Sequence, residues 1–322
     1  MSEIENPHDK LIRLVFSDPM EASSFLQANL PKSLTKEFDW TTLTVVKRTF
    51  IDDEFRDTAS DMLFLVKTFS TGKDIFFYIL FEHQSKPLKW MRFRLLKYMC
   101  RIWDESFKMF PKQHFLLPVV PLVFYQGQKS WNYSTKFRDL FRPSERRADF
   151  IPDFGHFLVD QSGIKSEEVK GTLKVKITQL LMLAAYHNEV RDEVFDILPG
   201  LLAQISQQPT NGLNYPAIFV RYLAETQSPE EVEKLIERTK QLSVEVGEEM
   251  LTATQTLTSQ VEKRGSLAKE IEMVEKFLKA GAPWEMVVNA TGITPEKLQE
   301  LKATLQEMMA GQTQLEGSHP LS

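Results

Sequence analysis

Two apolar runs separated by a short polar link constrain this chain more than any other feature. Asp61–Phe69 (DMLFLVKTF) and Asp74–Gln84 (DIFFYILFEHQ) are rich in β-branched and aromatic residues. Ser70-Thr71-Gly72-Lys73 between them is a turn of the kind that joins antiparallel strands. A turn centred between Thr71 and Gly72 sets the register and brings Asp61 opposite Glu82. Strand alternation then puts Glu82 and Gln84 on one face and aims His83 at the other, where its loss is expected to matter little. Two carboxylates facing each other across a ladder repel. A divalent cation offsets that repulsion, and oxygen ligands suit Mg²⁺ or Mn²⁺. Spacing alone leaves the alternative open that both acids sit at a solvated sheet end.

Around this hairpin the pattern is mixed α/β. Leu11, Ile12, Val15, Phe16, Phe25 and Leu26 recur at helical spacing within Asp9–Leu30, with a break near Asp18-Pro19. Leu43–Ile51 reads as a strand, Pro87 opens a long helix reaching Phe110, and Pro118–Tyr125 is a nearly all-apolar run suited to a strand covered on both faces. Gly155–Asp160 is a further strand candidate. From about Glu167 only helical periodicity remains, in segments 167–188, 191–207, 216–226, 229–245 and 247–263, then three pieces within 267–310. The expected organisation is an α/β core over 1–165, a helical extension over 166–212, and a helical C-terminal region over 213–322 with a frayed tail at 311–322.

Several chemistries are excluded by what the chain lacks. One cysteine, Cys100, rules out a disulfide framework and a multi-thiolate metal site. There is no GxSxG, GxGxxG or GxxxxGK[ST] motif, and the six His form no HExxH pair. No apolar run reaches the ~20 residues of a membrane span, and the opening MSEIENPHDK is not a signal peptide, so a cytoplasmic protein is expected.

The net charge of −5 argues against a globally basic polyanion binder. It hides a patch, because eight basic residues fall between Lys86 and Lys112 against only Asp104 and Glu105. Arg94, Lys97, Arg101 and Lys108 share one helical stripe, and Trp90, Phe93, Leu96, Met99, Ile102, Trp103 and Phe110 are expected to be the buried remainder. A basic stripe beside a carboxylate pair suits phosphodiester cleavage: cations hold flanking phosphates while a metal polarises the scissile one. A solvated charged face is the competing reading of the stripe.

The chain also resembles a known family. The residues that carry the likeness are His8-Asp9, Phe16-Ser17-Asp18-Pro19, Ser60-Asp61, Phe81-Glu82-His83-Gln84-Ser85, Arg94-Leu95-Leu96-Lys97-Tyr98 with Ile102-Trp103, and Pro118 through Gly127. In order and spacing these resemble the Rpn family of recombination-promoting nucleases, itself similar to the PD-(D/E)xK nuclease superfamily. The resemblance implies a mixed sheet flanked by helices and a Mg²⁺-dependent (or Mn²⁺- or Ca²⁺-dependent) DNA endonuclease linked to recombination or mobile elements. It implies Asp61 as the first-strand aspartate, Glu82 as the second carboxylate, and Asp9 as the further metal ligand, with Glu21 a competitor. Gln84 falls where the wider superfamily has lysine, and Ser60 where it has proline. Gln84 brings no cation, so transition-state charge falls to the metal or to Lys97 or Arg101. Arg94, Lys97 and Arg101 are the expected DNA contacts. The rivals are a catalytically degenerate DNA-binding protein and a protein-interaction module on the same scaffold.

Near the end, Trp284–Ala290, Thr291-Gly292-Ile293 and Thr294-Pro295-Glu296 read as helix, tight turn, helix, with Thr294 as N-cap and Pro295 in the first helical position. The 284–306 segment thus resembles a helix-turn-helix. Glu296, Glu300 and Glu307 outnumber Lys297 and Lys302 there, which favours homodimer or other protein contacts over DNA readout.

Overall fold

The computed structural model describes residues 6–46, 62–69, 76–145, 148–208 and 212–314. Five strands, β1 (Phe38–Val45), β2 (Met62–Thr68), β3 (Phe76–Gln84), β4 (Val119–Tyr125) and β5 (Phe157–Asp160), form one sheet in chain order. β1, β2 and β3 run antiparallel, and β4 and β5 continue parallel to β3. The β2–β3 register runs from Met62 opposite Phe81 to Lys67 opposite Phe76, the one that a turn centred between Thr71 and Gly72 dictates. The strand expected over 43–51 lies further upstream, and its part from residue 47 onward falls outside the described residues. A bulge interrupts its pairing with β2 between Asp39 and Thr44. There the Thr42 hydroxyl accepts from the Lys67 amide at 3.0 Å, so a side chain replaces a lost ladder bond.

The helices that position the sheet are fixed by caps. Asn6 caps α1 (Pro7–Phe16) and Asp18 caps α2 (Pro19–Asn29), each followed by proline in the first turn, which is why the opening helical stretch divides at Asp18-Pro19. A single short turn, α3 (Lys32–Thr35), leads into β1. Parallel pairing of β3 and β4 needs a crossover, and α4 (Met91–Met109) supplies it.

α4 covers one sheet face. Its inner stripe is Met91, Leu95, Tyr98 and Ile102, packed with Leu63 of β2 and Val123 and Tyr125 of β4. This corrects the expected stripe: Trp90 and Phe93 are about half exposed, at 54% and 50%. The 4-3-4 spacing of Met91, Leu95, Tyr98 and Ile102 turns the two aromatics outward. On the opposite face Phe124 meets Phe25 of α2 edge-on at 5.0 Å, and Phe25 meets Phe16 of α1 at 5.0 Å. Behind them lies α5 (Leu173–Tyr186), capped by Thr172 and buried from Lys174 to Ala184 save for half-buried Lys176. A helix apolar around most of its girth must be central, and here it packs against α1, α2, α6 (Asn188–Leu202) and α7 (Tyr215–Thr226). α7 also meets α1, and α8 (Pro229–Leu242) lies on α6 and α7.

The chain divides into two compact units, Met1–Met250 and Leu251–Ser322. The first includes α7 and α8, since Tyr215, Phe219, Val220, Tyr222 and Leu223 are buried within it. The expected segments 247–263 and 267 onward are one helix, α9 (Val244–Lys279), of 36 residues. Gly247 and Gly265 do not break it, because each glycine costs only about 1 kcal/mol within a helix. In the second unit the end of α9 meets α10 (Trp284–Thr291) and α11 (Pro295–Gln314) around Ile271, Val274, Val287, Ile293, Leu298 and Leu301. Gly292, at φ 71°, ends α10 in the left-handed conformation, and the Thr294 hydroxyl caps α11 by accepting from the Lys297 amide at 3.2 Å. Lys302 reaches back to Glu275 at 2.7 Å and holds that carboxyl below its usual range. Among the described residues no helix is long and apolar enough to cross a membrane.

Candidate functional site

The three parallel strands end together, and in α/β sheets the carboxyl ends of parallel strands are where sites are built. The Gln126 amide donates to the Gln84 carbonyl at 3.0 Å, and the Gln161 amide to the Tyr125 carbonyl at 2.9 Å. Side chains extend this stitching inward. Gln126 Nε2 donates to Gln161 Oε1 at 2.8 Å, Gln161 Nε2 donates to Gln179 Oε1, and Gln179 Nε2 donates to the Lys170 carbonyl at 2.8 Å. All three glutamines are buried, so this amide chain fixes the ends of β4 and β5 against α5.

Beside it, α1, β3, α5 and α7 converge on a polar cluster. His83 is buried, and its Nδ1 lies 2.8 Å from Asp9 Oδ1. His8 Nδ1 lies 2.7 Å from the Tyr222 hydroxyl, with the Tyr186 ring at 4.4 Å. Burial, aided by nearby His83 and opposed by Asp9, pulls the His8 imidazole from 6.5 down to about 4, so His8 is neutral near pH 7. Burial also pushes the Tyr186 phenol up to about 12, with a hydrogen bond to Ser85 working against it and Asp9 reinforcing it. Sequence reasoning aimed His83 correctly away from Gln84 but gave it no role. The signal was present in the His8-Asp9 pair, yet only the packing of α1 on β3 reveals the partner.

The candidate residues are distributed as follows. Asp61 lies outside the described residues, and Glu82 is described through its backbone, opposite Val123. Gln84 pairs with Tyr125, and Val123 and Tyr125 belong to the α4-side core, whereas His83 pairs with Phe124 on the other face, 5.8 Å ring to ring. Asp9 therefore meets β3 at His83, on the face opposite the Gln84 position. Glu21 is committed elsewhere: it is buried, 3.4 Å from Lys174 Nζ, and accepts from the Thr172 hydroxyl. Among the described residues no group of three or more His, Cys, Asp or Glu side chains gathers as a metal shell.

On α4, Arg94 Nε donates to the Tyr98 hydroxyl at 2.5 Å, with the guanidinium 5.3 Å from that ring. Lys97 is exposed and Arg101 half-buried. Arg92, from the same run of cations, is structural. It is buried and donates to the Lys136 and Lys89 carbonyls at 3.1 and 3.2 Å, stapling the start of α4 to the loop before β5.

These features define a class: a mixed α/β protein with a basic crossover helix beside the ends of three parallel strands, followed by a helical C-terminal half. Within that class the chain belongs to the family described as "Putative transposase, YhgA-like", whose profile matches residues 6–212. It is 28% identical over 298 residues to recombination-promoting nuclease RpnA of Escherichia coli strain K12, covering 91% of this chain and 96% of that one. It is 27% identical over 304 residues to a protein of the same strain named inactive recombination-promoting nuclease-like protein RpnE, with the same 91% and 96% coverage. Recombination-promoting nuclease RpnD of E. coli O157:H7 is 30% identical over 201 residues, or 62% of this chain and 72% of the relative. No solved structure matches.

Proposed function

We propose that this protein is a metal-dependent DNA endonuclease on a PD-(D/E)xK-like scaffold, acting in recombination or mobile-element biology. The observation that carries the reading is the β2–β3 register, Met62 opposite Phe81, which is the register from which the sequence expects Asp61 opposite Glu82. The nuclease names of RpnA and RpnD support it. In this reading Asp61 and Glu82 hold the divalent ion. Asp9, the further acid that the resemblance implies, bonds His83 on the opposite face of β3, so this reading rests on Asp61 and Glu82. Carboxylate oxygens with a nearby amide form a donor set for Mg²⁺, Mn²⁺ or Ca²⁺. Such an ion, when bound, polarises a phosphodiester oxygen and lowers the pKa of a bound water. The chain's own part is to hold flanking phosphates through Arg94, Lys97 and Arg101 and to orient substrate or water through Gln84. Assembly as a homodimer through the C-terminal helices would give two sites for two strands.

Similarity to RpnE, which is named inactive, favours one second reading: a DNA-binding protein whose scaffold is catalytically silent. Supercoiled plasmid incubated with the full chain in Mg²⁺, Mn²⁺ or EDTA separates the two. The nuclease reading expects nicking or linearisation in metal, none in EDTA, and none from folded Asp61→Ala or Glu82→Ala. Binding in a gel without cleavage in either metal favours the silent scaffold. A folded Asp61→Ala variant that cleaves like the parent refutes the site.

A further inference from the structure

The outer face of α4 carries more than cations. Trp90 and Phe93 stand about half exposed there, at 54% and 50%, and neither is part of the core that Met91, Leu95, Tyr98 and Ile102 build on the inner side. Exposed Lys89 and Lys97 flank them, and Lys89 Nζ sits 5.5 Å from the Trp90 ring centre. At 1.5 Å rise per residue, Trp90, Phe93 and Lys97 form a strip roughly 10 Å long. The strip begins just after β3 ends at Gln84, so it leads away from the proposed cleavage site.

A purely apolar strip would suit a protein partner, and a purely basic one would suit any polyanion. Aromatic rings interleaved with cations match a chain that offers both flat apolar faces and phosphates. Duplex DNA presents phosphates but hides its base faces in the stack. Unpaired DNA presents both, and stacking on aromatic side chains beside a basic track is the general means of holding it. We propose that the Trp90–Phe93 face of α4 stacks unpaired bases while Lys89 and Lys97 hold the adjoining phosphates, so that the preferred substrate is single-stranded DNA or DNA with an unpaired stretch. This rests on the nuclease reading above and names its substrate class.

The test compares full-chain parent, Trp90→Ala/Phe93→Ala and Trp90→Phe in EDTA. Fluorescence anisotropy reads affinity for a single-stranded oligonucleotide and for the duplex of the same sequence, with plasmid and oligonucleotide cleavage in Mg²⁺ run alongside. The expected result is a loss of single-strand affinity of roughly tenfold or more in the double alanine variant, a fall in the ratio of single-strand to duplex affinity, and near-parental behaviour of Trp90→Phe, which keeps a stacking ring. An unchanged ratio in the double variant overturns the proposal while leaving the nuclease reading intact if the parent still cleaves. A double variant that changes oligomeric mass in sedimentation but not the affinity ratio overturns it in favour of a second copy of the chain on this face. A parent that neither binds nor cleaves any DNA refutes the nuclease reading and the proposal together.

Discussion

His156 offers a direct measure of how tightly the sheet's far edge is packed. It sits just before β5, 6% exposed, with its amide donating to the Thr135 carbonyl at 3.2 Å and its ring edge-on to Trp131 at 6.2 Å. Burial, then the nearby Arg92 charge, lowers the imidazole from 6.5 to about 4, against a smaller opposing contribution from the Thr135 backbone. The folded value lies below the unfolded one, so between these pH values the unfolded chain binds the proton and the folded chain does not. Stability from this group is therefore complete above the unfolded pKa and is lost as pH falls from 6.5 toward 4. At about 1.4 kcal/mol per pKa unit the full effect is about 3 kcal/mol, and the slope approaches about 1.4 kcal/mol per pH unit inside the window. His156→Phe keeps the ring against Trp131 and removes the titration. Urea unfolding followed by circular dichroism from about pH 7.5 to about pH 4.5 should show the variant's stability falling less steeply, by close to one proton's worth of slope. His8, lowered in the same direction, keeps a second proton of linkage in both proteins. Identical slopes in parent and variant would refute the reasoning.

Neutralising Arg94 and Arg101 together should weaken DNA binding and reduce its salt dependence by roughly one unit of log–log slope per lost phosphate contact, read from affinity over a salt series. His83→Ala should cost about 2–3 kcal/mol in urea unfolding, because it opens a cavity and leaves Asp9 without the ring it bonds. A chain ending near residue 250 should fold cooperatively. One ending at 212 should unfold at markedly lower urea, because it lacks the buried Tyr215, Phe219 and Tyr222.

The hairpin register and the α4 helix were legible because they depend on a short turn and on local periodicity, which a sequence displays openly. The Asp18-Pro19 break was legible for the same reason. The orientation of α4 was less so: its aromatics outnumber what one face can bury, and only the position of Leu63, Val123 and Tyr125 decides which of them turn inward. The Asp9–His83 and His8–Tyr222 pairs were beyond reach, because they join elements far apart in the chain. The bulge in β1 was hidden too, since Trp40-Thr41-Thr42-Leu43 gives no warning that a threonine hydroxyl will stand in for a backbone partner.

A sheet whose spatial order equals its chain order has a consequence for synthesis. Each strand finds its neighbour already made as it leaves the ribosome, so the ladder can be laid down one strand at a time, with a short closure at the β2–β3 hairpin and longer ones at the parallel pairings. The helix at the very start of the chain has no such luck: His8 is bonded to a tyrosine 214 residues downstream. During translation α1 can meet α2 and β3 early, but its His8 pocket stays incomplete until α7 has been made. That interval, rather than the strand order, is when a nascent chain of this fold most needs a chaperone's cover.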